Sequence, residues 1–101
     1  MEFTGERMVL GTNNYELEIE HLNRYHFGAQ FVKDKRVLDV ACGTGYGSAI
    51  LAENAAFVEG IDISREAIDY AISNYSTHNI RFTQASVDKL PYPDNNFDVV
   101  I

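Results

Sequence analysis

Two hydrophobic rhythms alternate along this chain. Over residues 15–32, Tyr15, Ile19, Leu22, His26 and Ala29 recur at steps of three and four, which is the repeat of one helix face. Phe27 and Phe31 fall on another side of the same helix, so the pattern predicts two packing partners for it. Gly28 weakens its centre by about 1 kcal/mol relative to alanine. The charged turn Lys33-Asp34-Lys35-Arg36 follows, and then the rhythm changes. Val37, Leu38 and Val40 are branched apolar residues that favour a buried strand over about 36–40. Helical spacing returns with Tyr46, Ala49, Ile50 and the stem of Glu53. A second strand is predicted over 57–62. A helix over 64–75 follows, with Ile68, Ala71, Ile72 and Tyr75 as its buried stripe. Ser64 is its cap and Glu66 suits its positive end. A third strand is predicted over 80–84 and a fourth over 97–101. Ser76-Thr77-His78-Asn79 and Pro93-Asp94-Asn95-Asn96 read as turns. Residues 1–14 carry no periodicity, and Asn13 or Asn14 is placed to cap the first helix. Strands alternating with helices predict an α/β fold with a parallel sheet.

The chemistry concentrates where the first strand ends. Asp39 sits in that strand, and Ala41-Cys42-Gly43-Thr44-Gly45-Tyr46-Gly47 follows it. Glycines in such a turn permit positive φ and let a ligand approach bare backbone. A helix that starts just after the turn offers amides to an anionic group. Asp39 adds a carboxylate, so the site suits a ligand with both charges, such as an amino acid. Dinucleotide binding asks for Gly-x-Gly-x-x-Gly. Here the third glycine is Gly47 and Ser48 stands in its place. Asp62, at the carboxyl end of the second strand, lies on the rim of the same crevice in a doubly wound sheet. A carboxylate there accepts hydrogen bonds from two ribose hydroxyls. Cys42 beside the glycines reads as a small structural residue, since no histidine is near it in sequence.

Composition narrows the classes. The 101 residues fit one domain at most, and 46% hydrophobic content fits a globular chain. A net charge of −7 with no basic run argues against binding the phosphate backbone of nucleic acid. No apolar run reaches the length of a membrane span. The first residues lack the basic-then-apolar pattern of a secretory signal. A single cysteine fits a reducing cytoplasm. No metal site is expected.

Asp39-x-x-Cys42-Gly43-Thr44-Gly45-x-Gly47 resembles motif I of the class I S-adenosylmethionine-dependent methyltransferases. The resemblance covers essentially all 101 residues but only the cofactor half of that fold. It implies a Rossmann-like sheet in the order 3-2-1-4, truncated after the fourth strand. It implies S-adenosylmethionine as cofactor, bound by Asp39, Ala41, Gly43, Gly45, Asp62 and Ile63, with Ile63 against the adenine. Ala85-Ser86-Val87-Asp88-Lys89-Leu90-Pro91 resembles the loop in which that family contacts adenine. Ser86 stands where an acid is common and Val87 where a small residue is, and Asp88 is a compensating acid or a solvated one. Thr4-Gly5-Glu6-Arg7-Met8-Val9 and Glu20-His21-Leu22-Asn23-Arg24-Tyr25 resemble the leader of a bacterial subgroup linked to glycan synthesis. On that basis residues 1–34 form a leader and lid helix, residues 35–101 form the cofactor core, and Tyr15, His21 and Tyr25 are lid candidates.

The resemblance implies a methyltransferase portion whose catalytic base and methyl acceptor are not identified by these residues. A non-catalytic cofactor-binding module and, further off, a nicotinamide-binding fragment stay open at this point. The short apolar stretch Phe97-Asp98-Val99-Val100-Ile101 is expected to be an outer strand. Its unpaired edge predicts self-association of the chain.

Overall fold

A computed structural model describes residues 15–93 and 96–101; the first fourteen residues of the predicted leader with the caps Asn13 and Asn14, the side chain of Tyr15, and Asp94 and Asn95 of the predicted turn lie outside the described residues. Four strands, β1 (Arg36–Val40), β2 (Phe57–Asp62), β3 (Ile80–Gln84) and β4 (Val99–Val100), form one sheet in the order β3-β2-β1-β4. Every pairing is parallel, with Val37 opposite Val58 and Val99, and Val58 opposite Ile80. This is the expected fold and strand order. The fourth strand is shorter than expected. Asp98 donates its amide to the Arg36 carbonyl (2.8 Å) while its carboxylate accepts from the Arg36 amide (2.9 Å). A side chain thus occupies the place where the ladder would begin.

The helices are α1 (Tyr15–Gly28), α2 (Tyr46–Ala52) and α3 (Arg65–Tyr75), and α1 runs into a 3-10 turn at Ala29–Phe31. The chain steps from β1 to β2 to β3 in one direction, so right-handed crossovers put α2 and α3 on the same face. Val37, Val58, Ile80 and Phe82 pack there with Leu51, Ile68 and Ala71, and Tyr25, Val32 and Tyr46 complete the core. Ser64 caps α3 as expected, its hydroxyl accepting from the Ala67 amide at 3.2 Å. Ile72 of the expected stripe is 44% exposed, and Ala67 is buried in its stead. In α2 Leu51 and Ser48 are fully buried, and Glu53 is exposed.

The buried face of α1 is turned from the expected one. Tyr25 is buried and Leu22 and Ala29 pack on the core, whereas Ile19 and His26 are exposed. The cause is a polar tip that a hydropathy pattern undervalues: the Tyr25 hydroxyl has a buried partner, described below. Phe27 and Phe31 are exposed and stack edge to face on each other at 5.3 Å. Gly28, the last residue of α1, keeps helical angles (φ −60°, ψ −34°) and passes close to Ile101, whose Cδ1 would lie 3.0 Å from an added Cβ.

On the opposite sheet face, Glu59 is fully buried at the centre of β2. Arg81 Nε donates to both of its oxygens (3.0 and 2.8 Å), the Arg81 Nη2 pairs with it, and Thr83 Oγ1 donates at 3.0 Å. That many partners marks a satisfied structural carboxylate. Among the described residues no helix is long and apolar enough to cross a membrane, and no group of His, Cys, Asp and Glu is placed to hold a metal ion.

Candidate functional site

The crest of the sheet, where β1, β2 and β3 end together, is built by a turn with three residues at positive φ: Ala41 (56°), Gly43 (58°) and Gly45 (96°). The turn is tied across to β2 by Cys42, whose amide donates to the Ile61 carbonyl at 2.8 Å. Asp62 then anchors it. One carboxylate oxygen accepts from the Gly43 amide and the other from the Ser64 amide, both at 2.9 Å. The Gly45 amide donates to the Cys42 carbonyl at 3.1 Å. Three amides of the glycine turn, those of Cys42, Gly43 and Gly45, are therefore engaged inside the chain, and α2 beyond it is only seven residues long.

A cleft of about 310 Å³ opens beside this turn, lined by Val40, Ala41, Ile61, Asp62, Ile63 and residues 85–88. Ile63 is 71% exposed and Val87 58%. Both apolar side chains line the cleft and stay accessible to a ligand in it. Ser86 shapes the far wall. Its hydroxyl accepts from the Asp88 amide (3.2 Å) and its carbonyl from the Lys89 amide (3.1 Å), which closes residues 86–89 into a turn. Ala41, Asp62, Ile63, Ser86 and Val87 are thus brought together as a group, and Asp88 joins them. The linings by Val40, Ile61 and Ala85 were missed from sequence. Ala85 follows the last residue of β3, and its amide bonds the Asp62 carbonyl at 3.1 Å, so the parallel register itself was the available signal.

Asp39, Gly43, Gly45 and Tyr25 do not line this cleft. Asp39 is fully buried under the helices, and its carboxylate is met by two hydroxyls of the chain. Tyr25 donates to one oxygen at 3.0 Å and Ser48 to the other at 2.7 Å. The expectation that Asp39 lies open beside the turn for a ligand's ammonium group differs from this placement, because alternation along β1 aims its side chain to the helix side of the sheet. Tyr25, expected on a lid, is packed between α1 and α2, 5.9 Å from the Tyr46 ring in an edge-on contact. His21 of the expected lid is half-buried on α1. Ser48, read from sequence only as a missing glycine, is the partner that the expectation overlooked.

Burial raises the Asp39 carboxyl to about 6, against the Ser48 and Tyr25 hydrogen bonds that lower it. Burial, with the Asp39 charge beside it, holds the Tyr25 hydroxyl far above its usual range, so it stays a donor. A folded-state value above the unfolded 3.8 means that folding takes up a proton between the two. Stability from this group is fully present below about pH 4 and is lost as pH rises through about 6. The expected loss is on the order of 2–3 kcal/mol. Urea denaturation of the chain and of Asp39→Asn across this range checks it. The difference between the two curves should slope, with the native chain losing ground as pH rises; a flat difference contradicts the buried-carboxylate reading.

Cys42 is buried, and burial, followed by the Asp39 and Asp62 charges, pushes its thiol well above the usual range. That is the expected structural cysteine, not a nucleophile.

A family of methyltransferase domains matches residues 31–101 of the chain. The chain is 36% identical over 93 residues to a fatty-acid O-methyltransferase of Mycolicibacterium smegmatis, covering 83% of this chain and 34% of that protein. It is 34% identical over 86 residues to phthiotriol/phenolphthiotriol dimycocerosates methyltransferase 1 of Mycobacterium ulcerans, covering 81% and 32%. The chain thus spans about a third of the length of these curated relatives. Among solved structures, an S-adenosylmethionine-dependent methyltransferase of Mesorhizobium loti superposes with a TM-score of 0.64 at 30% identity, over 68% of this chain and 32% of that one. A protein of Pyrococcus horikoshii superposes with a TM-score of 0.72 at 30% identity, over 96% and 46%.

Proposed function

The chain belongs to the class I S-adenosylmethionine-dependent methyltransferase family, and from that premise we propose that its cleft binds the adenosine part of S-adenosylmethionine in a protein that transfers the methyl group. One observation carries the reading. Asp62 ends β2 with its carboxylate fastened to the glycine turn and lining the cleft, next to exposed Ile63. Each carboxylate oxygen has a second lone pair beyond its bond to Gly43 or Ser64. Those lone pairs suit two ribose hydroxyls. Ile63 and Val87 suit the two faces of an adenine, and the cleft volume lies at the small end of ligand pockets. The residues present therefore fit the nucleoside.

When bound, the cofactor supplies a sulfonium methyl group for in-line attack by a nucleophile. The residues of this chain bind and orient it. Asp62 fixes the ribose, Ile63 and Val87 exclude water from the base, and the loop at Ser86 and Asp88 offers polar groups to the ring edge. Fixing the reactants in line can account for several kcal/mol of the barrier. Titration calorimetry with S-adenosylhomocysteine tests the binding, and a chain that gives no saturable heat overturns it.

For assembly, β4 lies at the end of the sheet order with Val100 62% exposed. Among the described residues no strand lies beyond β4, and that edge supports pairing with a second copy. Sedimentation equilibrium should show a dimer growing in at high micromolar concentration. A single monomeric species there removes the edge pairing.

A further inference from the structure

The glycine turn is held between two buried carboxylates, and only one of them lines the cleft. Asp62 holds Gly43 from the ligand side. Asp39 works from behind. It lies in β1 next to Val40, which lines the cleft, yet its own carboxylate points to the helices. There it gathers three elements: β1 through its backbone, α2 through Ser48, and α1 through Tyr25. The seat for Tyr25 is cut into α2. A Cβ on Gly47 would lie 2.1 Å from Tyr25 Cζ, so only glycine lets the ring lie there. Arg24 covers the ring, its Cζ 5.4 Å from the centroid.

We propose that Tyr25 is a positioning residue: its hydroxyl, by holding Asp39, locks the first turn of α2 and with it the glycine turn that borders the ligand cleft, without touching the ligand. The proposal rests on the reading of the cleft as a nucleoside site. It reassigns Tyr25 from a lid contact to an anchor, and it gives Asp39 an internal task instead of a ligand's ammonium group.

Tyr25→Phe keeps the ring on Gly47 and removes the hydroxyl alone. Its affinity is compared with the native chain by calorimetry for two probes. S-adenosylhomocysteine carries an amino-acid end. 5′-Methylthioadenosine has the same nucleoside and lacks that end. The anchor weakens both by the same factor, about 10-fold, the lower end of what one hydrogen bond to a charged group contributes. If instead a ligand's ammonium takes the place of the Tyr25 hydroxyl at Asp39, the variant binds S-adenosylhomocysteine more tightly and methylthioadenosine unchanged, which overturns the proposal. Unchanged affinity for both also overturns it, whatever happens to stability. A native chain that binds neither probe overturns the nucleoside reading beneath it, and the proposal falls with it.

A pH profile gives a second readout that a merely structural tyrosine would not move. The groups facing Asp39 are Tyr25 and Arg24 from α1, Ser48 from α2, Cys42 from the turn and Asp62 from β2. Protonation of Asp39 takes one acceptor from the two hydroxyls, so both probes bind more weakly as pH falls through about 6. In Tyr25→Phe the carboxylate has lost a donor, and the same decline begins at higher pH. Identical profiles contradict the anchor. Ser48→Ala, which removes the hydroxyl on the other oxygen, carries the same expectations should Tyr25→Phe fail to fold.

Discussion

Asp62→Ala is expected to weaken S-adenosylhomocysteine binding by about 100-fold. Two losses add. The ribose hydroxyls lose a charged acceptor, and the Gly43 and Ser64 amides lose theirs, so the turn next to the ligand is released as well. Asp62→Asn should rescue little, because both oxygens accept and an asparagine must aim its NH2 at one of two amides. Circular dichroism separates loss of site from loss of fold. A folded Asp62→Ala chain with native affinity removes Asp62 from the site and takes the carrying observation with it.

Gly45→Val is expected to abolish both binding and cooperative unfolding. Glycine here has a φ of 96°, which an L side chain rarely adopts. A Cβ would also meet Ala71 Cβ at 2.7 Å and Phe82 Cζ at 2.9 Å. Strained backbone and overpacking together cost roughly 3–5 kcal/mol, a large part of the stability of a small domain. The sequence alone suggests that Gly45 clears space for a ligand. In the structure the space is taken by α3 and β3, so binding is lost through the fold. A urea melt of the variant checks this, and a cooperative transition near that of the native chain contradicts it.

What could be read from the sequence followed from strong local signals. β1, β2 and β3 have the predicted bounds because branched apolar runs lie between turn clusters. The cap of α3 was readable because Ser64 precedes the periodic stretch directly. The cleft's Asp62 and Ile63 were readable from their place at a strand end, and Val87 and Ser86 from the resemblance of their loop. The inner layer was less readable. Whether Asp39 faces ligand or core depends on strand alternation and on which helices cover the sheet, and its partners Tyr25 and Ser48 lie 14 and 9 residues away in sequence. The face of α1 was misjudged for the same reason. Tyr25 counts as half-polar in a pattern of apolar residues, and its burial is decided by a carboxylate on another element.

The most direct measurement is a parallel calorimetric titration of the chain with S-adenosylhomocysteine and with NADH. The glycine spacing, the carboxylate at the end of β2 and the apolar pair Ile63 and Val87 predict saturable one-to-one heat with S-adenosylhomocysteine and none with NADH under the same conditions. Saturable binding of NADH, with no response to S-adenosylhomocysteine, would contradict the account.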